Sequence, residues 1–292
     1  MAASSERLRG DLALLMITAV WGVTFVTVKD ALEGADPMTF LALRFGVGAG
    51  ALWFIARRSS RPWPWQGGVV LGTLLFIGYV FQTYGLAATT PSRSAFITGL
   101  CVVLVPFVAS VLFRRLPPML AVVGAVVAVV GLAILTDTSF SGPMPVGDVL
   151  TFGCAVSYAF HISLTEKYSA QTDSMKLVTL QLGVVALLST VSLPLVERRF
   201  MPSGSLWAAV LVTGLVASAM AISLQTWAQA KTTAVRASVI FALEPVFAIG
   251  WGAMLGREGL AKHEWVGGAL IVLGVVVASA APAAIAPPTR AT

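Results

Sequence analysis

The chemistry open to this chain rests on a few polar side chains set into long apolar segments. Tyr79, Gln82 and Leu86 share one helical face, and Ser218, Ile222, Gln225 and Gln229 repeat the pattern further along. An amide or phenol at lipid depth must meet water, a ligand or another helix. The plain alternative to ligand binding is an interhelical hydrogen bond, worth about 1 kcal/mol. Trp21, Thr24 and Phe25 form a third face, and Tyr158, His161 and Thr165 a fourth. Aromatic walls hold apolar or aromatic ligands while their polar edges orient them, although each ring taken singly is as well suited to helix packing.

Two charges fall deep within apolar segments. An ionised Glu244 there costs several kcal/mol unless it is paired. It could bind an ammonium, carry a coupling proton, or accept hydrogen bonds from backbone groups freed by Pro245; the last, a structural or gating role, is the preferred reading. Arg44 sits about two turns inside its segment and either snorkels to the outer interface or attracts a carboxylate. His161 could shuttle protons near neutral pH or serve in packing and hydrogen bonding. Enzymatic signatures are missing: there is no Gly-x-Ser-x-Gly elbow, His-Glu-x-x-His pair or phosphate-cradling glycine loop with lysine. No catalytic residue, cofactor or metal site is expected.

These residues must be positioned in a non-aqueous solvent. With 57% of 292 residues apolar and 11% charged, the chain has too few ionisable groups to cover a globular surface. The net charge of +6 comes from basic clusters between apolar segments, so it is read as a topology signal, and no nucleic-acid partner is expected. The first apolar stretch is too long for a signal-peptide core and should be retained. Cys101 and Cys154 lie inside apolar segments and say nothing of redox compartment.

About 20 apolar residues cross the hydrocarbon as a helix. Ten spans fit, over approximately 12–30, 37–56, 67–87, 93–113, 119–136, 148–166, 175–195, 205–228, 234–255 and 265–281. A cytoplasmic N-terminus puts Arg7, Arg9, Arg57, Arg58, Arg61, Arg114, Arg115, Lys167, Lys176, Lys231, Arg236 and Arg290 inside, and Lys29, Arg93, Arg198, Arg199, Arg257 and Lys262 outside. That bias predicts that both termini are cytoplasmic, and a bacterial inner membrane is the expected location.

The chain also repeats itself. A shift of 137 places Gly10-Asp11 on Gly147-Asp148, Trp21 on Tyr158, Met38 on Met175 and Gly46 on Gly183. A shift of 143 places Gln82-Thr83-Tyr84 on Gln225-Thr226-Trp227, Arg93 on Arg236, Gly124 on Gly267 and Gly131 on Gly274. Pro106 meets Pro245 only if four residues, about one helical turn, are extra in the first copy. The expected organisation is a first five-helix repeat at 1–136, a linker at 137–146, a second at 147–281 and a cytoplasmic tail at 282–292. Because five is odd, the second copy enters the membrane from the opposite side, and inverted halves around a midplane cavity suit alternating access. The glycines of spans five and ten mark them as peripheral packing helices.

The Trp-Gly of AVWGVTF (19–25), LRF (43–45), SAFITGLCVVLVP (94–106) and TTAVRASVIFALEPVFA (232–248) are similar to the drug/metabolite transporter superfamily, in its EamA branch of ten-helix exporters. The resemblance covers essentially the whole chain and is greatest toward bacterial aromatic amino acid exporters. It implies an all-α membrane fold, a cavity lined mainly by spans one, three, four, six, eight and nine, and export of amino acids or related metabolites. Span six departs by having Tyr158-Ala159 where span one has Trp21-Gly22, so an exactly symmetric cavity is not implied.

The leading expectation is a secondary exporter of neutral or aromatic amino acids, working as a monomer in the lipid bilayer by alternating access. Trp21, Thr24, Phe25, Tyr79, Gln82, Tyr158, His161 and Gln225 are the candidate substrate contacts, with Glu244, Pro245 and Arg44 candidates for coupling or gating. The competing expectations are a transporter of phosphorylated metabolites or drugs, for which Arg44 is the one cation at depth, and a membrane enzyme.

Overall fold

The computed structural model describes residues 2–89, 91–136, 145–170, 172–254 and 261–280. Most of the expected linker, the expected tail with Arg290, and Arg257 lie outside the described residues. Among the described residues there are ten helical rods, two of them broken near their middles. The unbroken ones are α1 (Ala2–Gly34), α2 (Pro37–Ala56), α3 (Trp65–Ala88), α6 (Met119–Leu135), α7 (Val146–Ser169), α8 (Ser174–Ser192) and α13 (Lys262–Ser279). The fourth rod is α4 (Pro91–Gly99) with α5 (Cys101–Phe113), and the ninth is α11 (Ala234–Phe241) with α12 (Glu244–Met254). The eighth runs as α9 (Gly204–Leu211), a π-helix (Val212–Met220) and α10 (Ala221–Gln229) without a gap. Among the described residues the extended structure is a single isolated bridge between Ala35 and Phe200.

Six rods are long and apolar enough to cross a bilayer by length and composition: those over Leu8–Gly34, Pro37–Ala56, Trp65–Ala88, Arg93–Phe113, Ser174–Leu195 and Gly204–Gln229. Three of the remaining four fall short for identifiable reasons. Met119–Leu135 has 17 residues, α7 is diluted by buried Ser, His and Thr, and α13 opens on Lys262, His263 and Glu264. The first helix is longer than expected because its N-terminal turns dock on the second half. Arg236 Nη2 donates to Asp11 Oδ2 (2.6 Å), and Lys231 stands 3.7 Å from Glu6.

The packing is two-fold in its logic. α2 lies on α8, and α6 on α13, each rod against its own copy. α1 lies on α10 and α12, while its counterpart α7 lies on α3, α4 and α5. Ion pairs obey the same exchange. Arg236 pairs with Asp11, and their repeat equivalents Arg93 and Asp148 pair with each other, Arg93 Nε lying 3.1 Å from Asp148 Oδ2. Each pair joins one half to the other, the first beside the N-terminus and the second at the far end of the bundle, where Thr89 also donates to Asp148 (2.8 Å). Asp11 and Lys29 lie 18 residues, or about 27 Å, apart along α1.

Helix starts repeat as well. Asp36 caps α2 by accepting the Thr39 N–H (3.0 Å), and its equivalent Asp173 caps α8 by accepting the Met175 N–H (3.0 Å). Burial would raise the Asp36 carboxyl. Hydrogen bonds from the Thr39 hydroxyl and N–H and from the Arg199 backbone outweigh it, holding the group below its ordinary value of 3.8. The α6–α13 contact brings backbone to backbone, since a Cβ at Gly124 would stand 2.5 Å from the Gly274 carbonyl, and the reverse holds for Gly274. The expectation of close glycine packing is met here, each of the two helices supplying the partner for the other.

Two outcomes test this packing. Gly124→Val forces the rods apart and should destabilise by about 1–3 kcal/mol, whereas Gly46→Ala, with open space around it, should stay within about 0.5 kcal/mol; thermal unfolding in detergent compares them. Asp36→Ala should cost about 1 kcal/mol at pH 7. Because the carboxyl is held low in the folded chain, that difference begins to close below pH 3.8 and is gone once the folded group is protonated.

Candidate functional site

The broken rods meet at the centre of the bundle. Pro245 has no N–H for the Phe241 carbonyl and crowds it, so the ninth rod tightens over Ala242 and Leu243, with Leu243 N–H bonding Ile240 O (3.1 Å). In the fourth rod the break falls at Gly99-Leu100, the equivalent positions at a shift of 143, with Leu100 N–H on Ile97 O (3.2 Å). The sequence led us to expect continuous spans. A glycine at the turn and Pro106 farther on weaken the helical ladder on both sides. Cys101 and Glu244, the first residues after the two breaks, thus occupy equivalent places.

Between the breaks lies a cavity of about 1020 Å³, open mouth included, of which a water molecule's centre reaches about 100 Å³. Spans one, three, four, six, eight and nine line it, and Arg44 enters from span two. The candidate substrate contacts Trp21, Thr24, Phe25, Tyr79, Gln82, Tyr158, His161 and Gln225 border it, together with Arg44, Glu244 and Pro245, whereas Thr165, Ser218 and Gln229 of the same faces do not.

Their local bonds differ. Tyr158 donates to Gln82 Oε1 (3.2 Å), and its ring meets Tyr79 edge-on at 5.7 Å. Trp21 stands edge-on to Phe241 at 5.4 Å while its indole N–H bonds the Ala217 carbonyl (2.8 Å) inside the π-helix. Thr24 donates to the Trp21 carbonyl of its own helix. His161 is 2% exposed and bonds Gln181 Oε1 (2.9 Å), the packing and hydrogen-bonding alternative. Gln225 donates to Gln229 (2.9 Å), which donates to the Ile162 carbonyl (2.9 Å).

Arg44 does not reach an interface. It is 4% exposed, with Nε on Ser218 Oγ (2.8 Å) and Nη2 near the Tyr79 hydroxyl (3.3 Å). Its guanidinium lies 4.7 Å from the Tyr79 ring centre. The tight crossing of α2 with the π-helix positions it: a Cβ at Gly214 would stand 2.7 Å from the Arg44 carbonyl, and Ser218 follows one turn later. Among the described residues Glu244 forms no hydrogen bond or ion pair, so nothing ties it to the backbone that Pro245 frees.

Sequence reasoning missed Leu75, Thr98 and Phe241 in the wall and Gln181 behind it, and it placed Ser218 on the polar face without foreseeing its bond to Arg44. Thr98 and Phe241 lie within the quoted 94–106 and 232–248 stretches, so the signal was present; the π-helix, which sets where Ser218 points, leaves no periodic trace.

The cavity is lopsided. Its wall runs on to Val28, Leu86 and Ala95 toward the Arg93–Asp148 end, while the repeat equivalents Thr165, Gln229 and Ser238 lie outside the wall and are 0%, 1% and 0% exposed. In a Cys101→Ala background, a cysteine at Ala95 should react with a small thiol reagent at least about ten-fold faster than one at Ser238, since modification needs access; mass spectrometry of labelled membranes reads the ratio.

Comparison with known proteins agrees with this architecture. The sequence profile of the EamA-like transporter family matches twice, over residues 8–137 and 145–280. An uncharacterized transporter of Archaeoglobus fulgidus is 31% identical over 278 residues, covering 95% of this chain and 88% of that protein. The uncharacterized inner membrane transporter YedA of Escherichia coli K12 is 25% identical over 271 residues, 91% of this chain and 89% of its own length. A solved crystal structure with 21% identity superimposes with a TM-score of 0.78 over 94% of this chain and 96% of that one, a likeness of fold alone.

Proposed function

The chain belongs to the EamA-like transporter family, and we propose that within it this multi-pass membrane transporter is a secondary exporter of neutral or aromatic amino acids. The observation that carries the reading is the cavity between the inverted halves, walled by Trp21, Phe25, Tyr79, Tyr158 and Phe241 and edged by Gln82 and Gln225. Flat rings accept an apolar or aromatic side chain, and amides and phenols orient the polar end of a small solute.

The same geometry supports a reading of alternating access. An inter-half arginine–aspartate pair stands at each end of the bundle, Arg236–Asp11, beside which Lys231 also meets Glu6, and Arg93–Asp148, and exchanging the halves converts one arginine–aspartate pair into the other. Opening one end while the other stays latched would require these pairs to break in turn. The absence of a phosphate-cradling loop with lysine fits a gradient-driven or facilitative carrier. The basic-residue bias supports the inner membrane with both termini cytoplasmic, and the E. coli relative is named an inner membrane transporter.

A phosphorylated solute is the less favoured substrate. Its dianion calls for several cationic donors, and Arg44 is the sole Lys or Arg in the described wall.

Proteoliposomes loaded with unlabelled phenylalanine or tryptophan should take up the labelled amino acid by saturable counterflow, at least about ten-fold above empty liposomes. Loss of counterflow in the presence of organic phosphates, with no saturation by any amino acid, would transfer the reading to phosphorylated solutes.

A further inference from the structure

The cavity wall holds one guanidinium and one carboxyl that do not meet. Arg44 is nearly fully buried, yet Nε and Nη2 are its only bonded nitrogens, both to neutral hydroxyls. A guanidinium carries five N–H groups, so part of its fork is unengaged. Among the described residues it pairs with no carboxylate. The rings of Phe45 and Tyr79, at 5.1 and 4.7 Å, soften the charge without neutralising it. Glu244 borders the same space with no hydrogen-bond donor or cation on it.

Elsewhere the chain satisfies its buried charges within itself. Asp11 and Asp148 each have an arginine, Lys29 bonds the Leu86 and Thr89 carbonyls, and Glu166 caps Ala234. Leaving one charge of each sign unpaired on a single wall departs from that habit. A dipolar solute between them neutralises both at once, and a singly charged one leaves the other exposed to low dielectric.

We propose that Arg44 and Glu244 are the two poles of a zwitterion site, Arg44 taking the carboxylate of the substrate and Glu244 its ammonium. The assignment rests on the amino acid reading above and adds the groups that enforce it. The planar fork of Arg44 matches a carboxylate better than a point cation does. Trp21 and Phe241, edge-on to each other, supply ring surface to the same cavity. The substrate class becomes molecules with both charges, while amines and acids that share the same side chain are discriminated against.

Purified protein tests this by binding, without transport, using phenylalanine, phenethylamine and phenylpropionate and reading tryptophan fluorescence or thermal shift. Wild type should bind phenylalanine at least about ten-fold tighter than either singly charged analogue. Arg44→Gln should bring phenylalanine down to the level of phenethylamine and leave the amine unchanged. Glu244→Gln should bring it down to the level of phenylpropionate and leave the acid unchanged. Arg44→Lys, which keeps the charge, should retain the preference for phenylalanine over the amine and guards against a folding defect. Equal weakening of all three ligands in both Gln variants, in a protein whose wild type performs counterflow, overturns the poles and leaves the amino acid reading standing. Wild type that binds none of the three and shows no counterflow overturns both.

Discussion

Hydrocarbon supplies no hydrogen bonds, so a polar group inside this bundle is stable only if another part of the chain answers it or it faces an enclosed hollow. Most of what is distinctive in the structure follows from that. The buried Ser and Thr hydroxyls of the spans commonly fold back on their own helix, as Thr18 does on Leu14 and Thr213 on Ala209. Acids and bases near the helix ends find partners on the opposite half, so the requirement for pairing becomes the fastening between repeats. Glu244 and the unengaged part of the Arg44 fork are left over, and both border the central cavity.

Duplication gives the bundle its order and divergence gives it direction. Lys29 and Glu166 occupy equivalent places with opposite sign. The first meets carbonyls at the end of α3, the second an N–H at the start of α11, each suited to the helix end it faces. Gln229 seals the N-terminal end by reaching the Ile162 carbonyl, whereas its equivalent Leu86 borders the cavity. These small polar differences lock the end that carries the N-terminus and leave the hollow extended toward the other.

The irregular backbone serves the same site. Two tightened turns and a nine-residue π-helix are costly in a helix, and each lies beside the cavity. The π-helix offers Ala217 O to Trp21 and Ser218 Oγ to Arg44, fixing a ring and a charge from one stretch. Irregularity of this kind is tolerated at depth where protein or a cavity covers it.

Composition, apolar run lengths and the shifts of 137 and 143 were enough to read ten inverted spans from the sequence, because solvent and periodicity act on every residue alike. The same repeats set Gln82 and Gln225, and Trp21 and Tyr158, at matched depth, and those side chains do share one hollow. Local rules could not say whether Arg44 points to lipid or inward, since a helical position two turns deep permits both. Its inward course depends on Gly214 letting the π-helix close on α2, a contact between residues 170 apart in the chain. Whether Glu244 leans on its own backbone or faces the cavity likewise depended on how two separate broken rods meet, and only the tertiary packing decides that.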